Sequence, residues 1–328
     1  MINDKEFLRF QEGPYRLLLE KYINFKRGKG EKVTHSTLVR LGGLNNALNN
    51  SSCFEITSDV AEKILQSRTD ENPASRQLRI SDFRQFAMFL STLGISAYQI
   101  PHKYTKTSYT KFRPYIFSDD ELIRITRAAD NLPFGRRSNK HQKIYPILIR
   151  ILIGTGMRIS EVLAITKDDI DISQGVIKAI NSKNGVSRYI PVSDSLSNAL
   201  DIYARKELTN LKSDVPFFTS PYTGGHYSYD AIKYMFPKLC ASASIYTLDG
   251  KVPNIHSLRH TFCTKSLEQM LASGISLYTA LPILSAYVGH VNLSDTEKYI
   301  HLTRSNHDSF IHSESSLKQI IPEVAYVE

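Results

Sequence analysis

"GVIKAINSKNGVSRYIPV", residues 175–192, is the stretch that decides the fold class, because the other patterned segments of the chain all read as helices. Strand-like runs lead into and out of Asn184-Gly185, the dipeptide that best tolerates the positive φ angles of a tight hairpin. The expectation is therefore a mainly α protein with one small β-hairpin, an α+β fold.

Working outward, apolar periodicity predicts helices over 193–208, 230–241, 256–272, 280–288 and 293–300 on the C-terminal side. On the N-terminal side, "GTG" at 154–156 breaks a helix over 143–154 from a second over 157–165. "SDDE", residues 118–121, has the spacing of a capping box and starts a helix that runs to about residue 131. Further back, "PHKYTKTSYTKFRPY" (101–115) interleaves Lys103, Lys106, Lys111 and Arg113 with aromatics and carries no acid. Such a segment suits contact with a phosphate backbone, with a solvated linker as the alternative. Before it, helices are expected over 7–29, 34–48, 58–66 and 76–93, the last with Leu78, Phe83, Phe86, Phe89, Leu90 and Leu93 near helical spacing. The resulting division is a helical domain over 1–100, a basic linker over 101–116, a second domain over 117–312 and a tail over 313–328.

With 328 residues, 41% of them hydrophobic, the chain can build two packed cores. Lys and Arg outnumber Asp and Glu by 41 to 32, a net charge of +9 that favours a polyanionic partner such as nucleic acid. Cys53, Cys240 and Cys263 are few, odd in number and far apart, which argues against a disulfide framework and for a reducing cytoplasm. No signal-peptide pattern or membrane span is read in the sequence, so a cytoplasmic protein with no membrane partner is expected.

The chemistry gathers in two helices. Arg158 is expected in the first turn after the "GTG" break, where free N–H groups favour an anion, with Glu161 on the same face to orient the guanidinium. In "NIHSLRHTF" (254–262), His256 and Arg259 put an imidazole and a planar guanidinium on one helix face, with His260 directly behind. A metal reading of His256, His260 and Cys263 lacks an acidic partner, so neither metal nor cofactor is expected.

In order, "GMRISEVLAI", "HSLRHTF", "YVGH" and "TEKYIHL" resemble the tyrosine recombinase (phage integrase) family. That resemblance implies a catalytic domain of the family after a helical core-site DNA-binding domain. It assigns Arg158 and Arg259 as the paired arginines, Glu161 as the supporting acid and His256 as the histidine of His-x-x-Arg. It makes Lys183 the hairpin lysine, His290 the residue after glycine, and Tyr299, nine residues on, the nucleophile. "SKNGVSR" departs from the family's glycine-rich turn, and Lys178 or Arg188 compete with Lys183 for the assignment. The implied activity is site-specific recombination of double-stranded DNA by a homotetramer, through a 3′-phosphotyrosine, without metal or ATP. A type IB topoisomerase-like strand relaxation and a catalytically silent DNA-binding regulator are the alternatives. With no arm-binding module read ahead of the helical domain, a simple recombinase of a mobile element or replicon is expected.

Overall fold

The computed structural model describes residues 10–51, 55–69, 71–101, 104, 114–132, 140–180, 187–209, 212–290 and 292–303. Lys103, Lys106, Lys111, Arg113, Lys183, Asn184, Gly185 and the tail 313–328 lie outside them. The chain divides into two compact units, Met1–Phe112 and Arg113–Glu328.

In the first unit four helices, α1 (Pro14–Gly28), α2 (His35–Asn50), α3 (Ser58–Leu65) and α4 (Pro73–Thr92), bury Leu19, Ile23, Leu41, Leu48, Leu65, Phe83 and Phe86. Thr34, Thr57 and Asn72 cap the N-termini of α2, α3 and α4 with their side-chain oxygens, and proline occupies the first turn of α1 and α4. The Asn72-Pro73 cap explains why α4 begins before the predicted residue 76. Its buried stripe is Ile80, Phe83, Phe86, Ala87 and Leu90, while Leu78 and Leu93 are exposed. Five residues turn a helix by roughly 500°, so Leu78 points about 140° away from Phe83 despite its apolar neighbours.

The second unit opens with α5 (Asp119–Asp130), where the Ser118–Glu121 capping box forms in full. It continues through α6 (Lys140–Thr155), α7 (Ile159–Ala164), β1 (Ile170–Asp171), β2 (Val176–Ala179), β3 (Arg188–Pro191), α8 (Asp194–Glu207) and α9 (Tyr229–Ser242). Helices α10 (His256–Ala272), α11 (Leu277–Val288), α12 (Ser294–Glu297) and α13 (Ile300–Thr303) complete it. The main core is built around the fully buried face of α6, with Tyr145, Leu148, Ile149, Ile151 and Leu152. A smaller cluster joins Cys263 and Leu267 of α10 to Leu281, Leu284 and Val288 of α11 and to Tyr299.

The sheet has three antiparallel strands in the order β1-β2-β3, one more than the sequence declares, because β1 is only two residues long. In the ladder Ala179 pairs with Arg188 and Ile177 with Ile190. The turn expected at Asn184-Gly185 falls between these paired strands and lies outside the described residues. The predicted helix over 293–300 is in fact two short ones, and Tyr299 sits in the turn between them.

Gly156 decides how α6 gives way to α7. Its φ is +59°, and a Cβ there would penetrate the Phe262 ring. Gly156→Ala is expected to cost about 2–4 kcal/mol, the sum of a left-handed backbone penalty and an overpacked contact, read as a lower urea midpoint at unchanged slope.

Candidate active site

Arg158 is not in the first turn of α7 but immediately precedes it, in an extended conformation with ψ 141°. The reason is Glu161, which reaches back to take the Arg158 backbone N–H at 3.0 Å and the Arg158 Nη1–H at 2.8 Å. The helix N-terminus therefore holds its own carboxylate there, and the binding capacity lies in the guanidinium. Arg188, on β3, grips the other side of Glu161, donating Nη1 at 3.2 Å and Nη2 at 2.9 Å. Burial pushes the Glu161 carboxyl up, but the bonds from Arg188 and the Arg158 N–H outweigh it and hold it below the usual carboxylate range.

Three consecutive carbonyls at the C-terminal end of α11 each accept from a different arginine. Arg188 Nε donates to Tyr287 O at 2.8 Å, Arg259 Nη2 to Val288 O at 2.8 Å and Arg158 Nη2 to Gly289 O at 3.0 Å. Helix ends leave such carbonyls without intrahelical donors and concentrate about half a negative charge there, so α11 is a natural anchor for cations. Gly289 permits the crowding: its φ is +67°, and a Cβ on it would come within 2.9 Å of the Arg188 guanidinium. Arg259, buried on α10, also donates Nη1 to Gly156 O at 2.8 Å, tying the α6–α7 break to the same centre.

His290 follows that carbonyl row. Arg259 Nη2 donates to its Nε2 at 3.0 Å, which makes Nδ1 the protonated nitrogen and donor to buried Thr296 Oγ1 at 2.8 Å. Burial, with the charges of Arg259 and Arg158 added, lowers the His290 pKa to about 4. Neutral His290 thus buttresses Arg259 in the free protein. His256 is exposed at the first turn of α10, and loss of surrounding water together with Arg259 and Arg158 lowers its pKa.

Because the folded value lies below the ordinary imidazole value of about 6.5, the unfolded chain binds more protons in this range. The contribution of His290 is complete above pH 6.5 and lost as the pH falls toward 4. The melting temperature is expected to be level from pH 8 to 7 and to fall below 6.5, with a shallower fall in His290→Asn.

Tyr299 is 2% exposed, and its ring lies parallel to that of His290, with centroids 6.4 Å apart. Burial, and then the Cys263 thiol, raise its pKa well above the ordinary phenol value, against the opposing pull of Arg259 and Arg158. The hydroxyl is 3.1 Å from His260 Nδ1. Of the residues expected at the site, Arg158, Glu161, His256, Arg259, His290 and Tyr299 come together, while Lys183 and the four linker cations lie outside the described residues. Sequence reasoning missed Arg188 as the second partner of Glu161, and His260 and Cys263 as the groups around the Tyr299 hydroxyl. Cys240 and Cys263 are free thiols, and no helix among the described residues is long and apolar enough to cross a membrane.

Three anchored guanidiniums against one carboxylate, beside a sheltered phenol, make a site for an oxyanion. Residues 116–306 match the model of the phage integrase family, and the chain belongs to that family. It is 29% identical over 235 residues to the tyrosine recombinase XerC of Oceanobacillus iheyensis, covering 70% of each chain. It is 25% identical over 312 residues to XerC of Listeria innocua, covering 90% of this chain and 95% of the relative. Among solved structures, a lambda integrase (75–356) dimer bound to a COC′ core site aligns at TM-score 0.62 and 18% identity, covering 86% of this chain and 93% of that one. XerH recombinase bound to palindromic difH substrate aligns at 0.63 and 16%, covering 84% and 77%. At such identities the structural likeness establishes the shared fold.

Proposed function

We propose that this protein is a site-specific recombinase that cuts and rejoins double-stranded DNA through a covalent 3′-phosphotyrosine at Tyr299. The observation that carries the reading is the row of α11 carbonyls, which anchors Arg158 and Arg259 where their charge acts on Tyr299. In-line attack on a phosphodiester builds charge on its nonbridging oxygens, and fixed donors stabilise that charge without reorganising. Arg158 and Arg259 serve this role, Glu161 and His290 hold them in place, and His256 assists proton movement at the phosphate. Lys183 protonates the departing 5′-oxygen. The phosphotyrosyl bond conserves the energy of the broken linkage, so a second strand's 5′-hydroxyl can reverse the attack without ATP.

The helical unit and the basic segment holding Lys103, Lys106, Lys111 and Arg113 grip the duplex around the core site, and a homotetramer brings two sites together. The family membership and the recombinase relatives support strand exchange over simple relaxation. The test is incubation with nicked suicide DNA made from the flanks of the gene. Wild type is expected to form a denaturation-resistant protein–DNA adduct and Tyr299→Phe none, while both shift the duplex on a gel. An adduct that persists in Tyr299→Phe would remove the assignment.

A further inference from the structure

A phenol that attacks phosphorus has to lose its proton, and this one is deeply sheltered, so the identity of the acceptor matters. Among the described residues two groups reach the Tyr299 hydroxyl, His260 Nδ1 at 3.1 Å and the Cys263 thiol. Cys263 is fully buried, and a neutral thiol is a weak acceptor that keeps its own proton. A neutral imidazole offers a lone pair in the plane of its ring, at a distance suited to proton transfer.

Resting on the reading of Tyr299 as nucleophile, we propose that His260, one residue past the His-x-x-Arg pair, is a further catalytic residue that takes the Tyr299 proton during cleavage and returns it during rejoining. The Oη–H proton moves to His260 Nδ1 while Oη forms its bond to phosphorus and the bond from phosphorus to the 5′-oxygen breaks. The leaving oxygen receives a separate proton from the acid on the far side. When a 5′-hydroxyl attacks the phosphotyrosine, its oxygen bonds to phosphorus and its proton returns to the group that had protonated it, while the Oη–phosphorus bond breaks and the imidazolium gives its proton back to Oη.

The placement fits this division of labour. His256 and His260 are one helical turn apart on α10, the first exposed at its start and the second half-buried under Tyr299. The rings of His260 and Tyr299 have centroids 5.8 Å apart and are tilted by 49° to one another. Among the described residues, the charged and titratable groups that act on His260 include His256, Lys298 and Arg259, each of which opposes its protonation. Burial acts in the same direction and comes first, taking the His260 pKa to about 4 in the free protein. An arriving phosphodiester supplies the opposite charge and makes the transferred proton easier to hold.

The experiment uses the full chain and the nicked suicide duplex in single-turnover cleavage, with binding followed in parallel by gel shift. His260→Ala is expected to bind DNA within about twofold of wild type and to cleave roughly 10²-fold more slowly at pH 7, the lower end for loss of a general base. The deficit is expected to narrow as the pH rises toward 9, and added imidazole is expected to restore at least tenfold. His260→Asn, closer in size and polarity, is the second variant: it should match His260→Ala in rate and fail to match wild type. Cleavage by either variant within threefold of wild type would overturn the proposal, as would a loss in both folded variants that neither imidazole nor alkaline pH relieves. Absence of adduct from wild type would sink the recombinase reading itself, a result separate from any difference between wild type and the His260 variants.

Discussion

Glu161→Ala is expected to destabilise the second unit by about 3–5 kcal/mol and to remove strand cleavage, although alanine suits a helix better than glutamate does. The side chain of Glu161 is 3% exposed, and those of Arg158 and Arg188 are 16% and 10% exposed. Removing the carboxylate leaves two guanidiniums side by side with little water between them, and repulsion replaces a doubly bonded bridge. The α11 carbonyls still accept from both arginines, which keeps the loss near the middle of the range for a broken buried pair. Glu161→Gln keeps one acceptor oxygen without the charge and should fall between wild type and alanine. Sulfate at tens of millimolar should recover more stability in either variant than in wild type, because the vacated charge is the one an anion can replace. Chemical denaturation with and without sulfate checks both statements, and a Glu161→Ala loss below about 1 kcal/mol would show that the carboxylate is not the keystone.

This dependence on a carboxylate held from two directions also marks the limit of what could be read from the chain. The capping box at Ser118, the start of α10 at His256 and the spacing from His290 to Tyr299 are local relations, set by a few backbone groups or a fixed count, and they were legible. The Glu161–Arg158 contact was legible for the same reason, being three residues apart. Arg188 was not, because it meets Glu161 from another element 27 residues away. One signal pointed to it: Arg188 lies on the same strand face as fully buried Ile190, and an arginine turned inward needs a buried acid. His260 was hidden in a different way. Its partner is set by the turn between α12 and α13, and the apolar pattern around Tyr299 reads as one unbroken helix. The extended backbone of Arg158 was missed because glycine breaks mark where a helix stops more sharply than where the next one starts.

Arg259→Lys keeps the charge and is nonetheless expected to lower the single-turnover cleavage rate by about 10²–10³-fold, the scale of losing one preorganised oxyanion donor. Arg259 does three things at once: Nη1 holds Gly156 O at 2.8 Å, and Nη2 holds Val288 O at 2.8 Å and His290 Nε2 at 3.0 Å. These acceptors come from the α6–α7 break and from the end of α11, and the planar fork spans them while directing its remaining N–H bonds elsewhere. A lysine ammonium is a single point on a flexible stem. It can satisfy one carbonyl or approach a phosphate, and the other acceptors are left without their donor in a buried place, at about 1–3 kcal/mol for each group stranded. His290 also loses the donor that fixes its Nε2, so its ring is held by Thr296 alone and the phenol loses a rigid neighbour. DNA affinity should change by less than about tenfold, because a duplex-binding protein makes many phosphate contacts and each contributes a modest share. The decisive comparison is cleavage against binding on the same nicked duplex, with melting curves to exclude unfolded protein. Cleavage by a folded Arg259→Lys within tenfold of wild type would mean that positive charge alone suffices, and the carbonyl-anchored fork would lose its place in the mechanism.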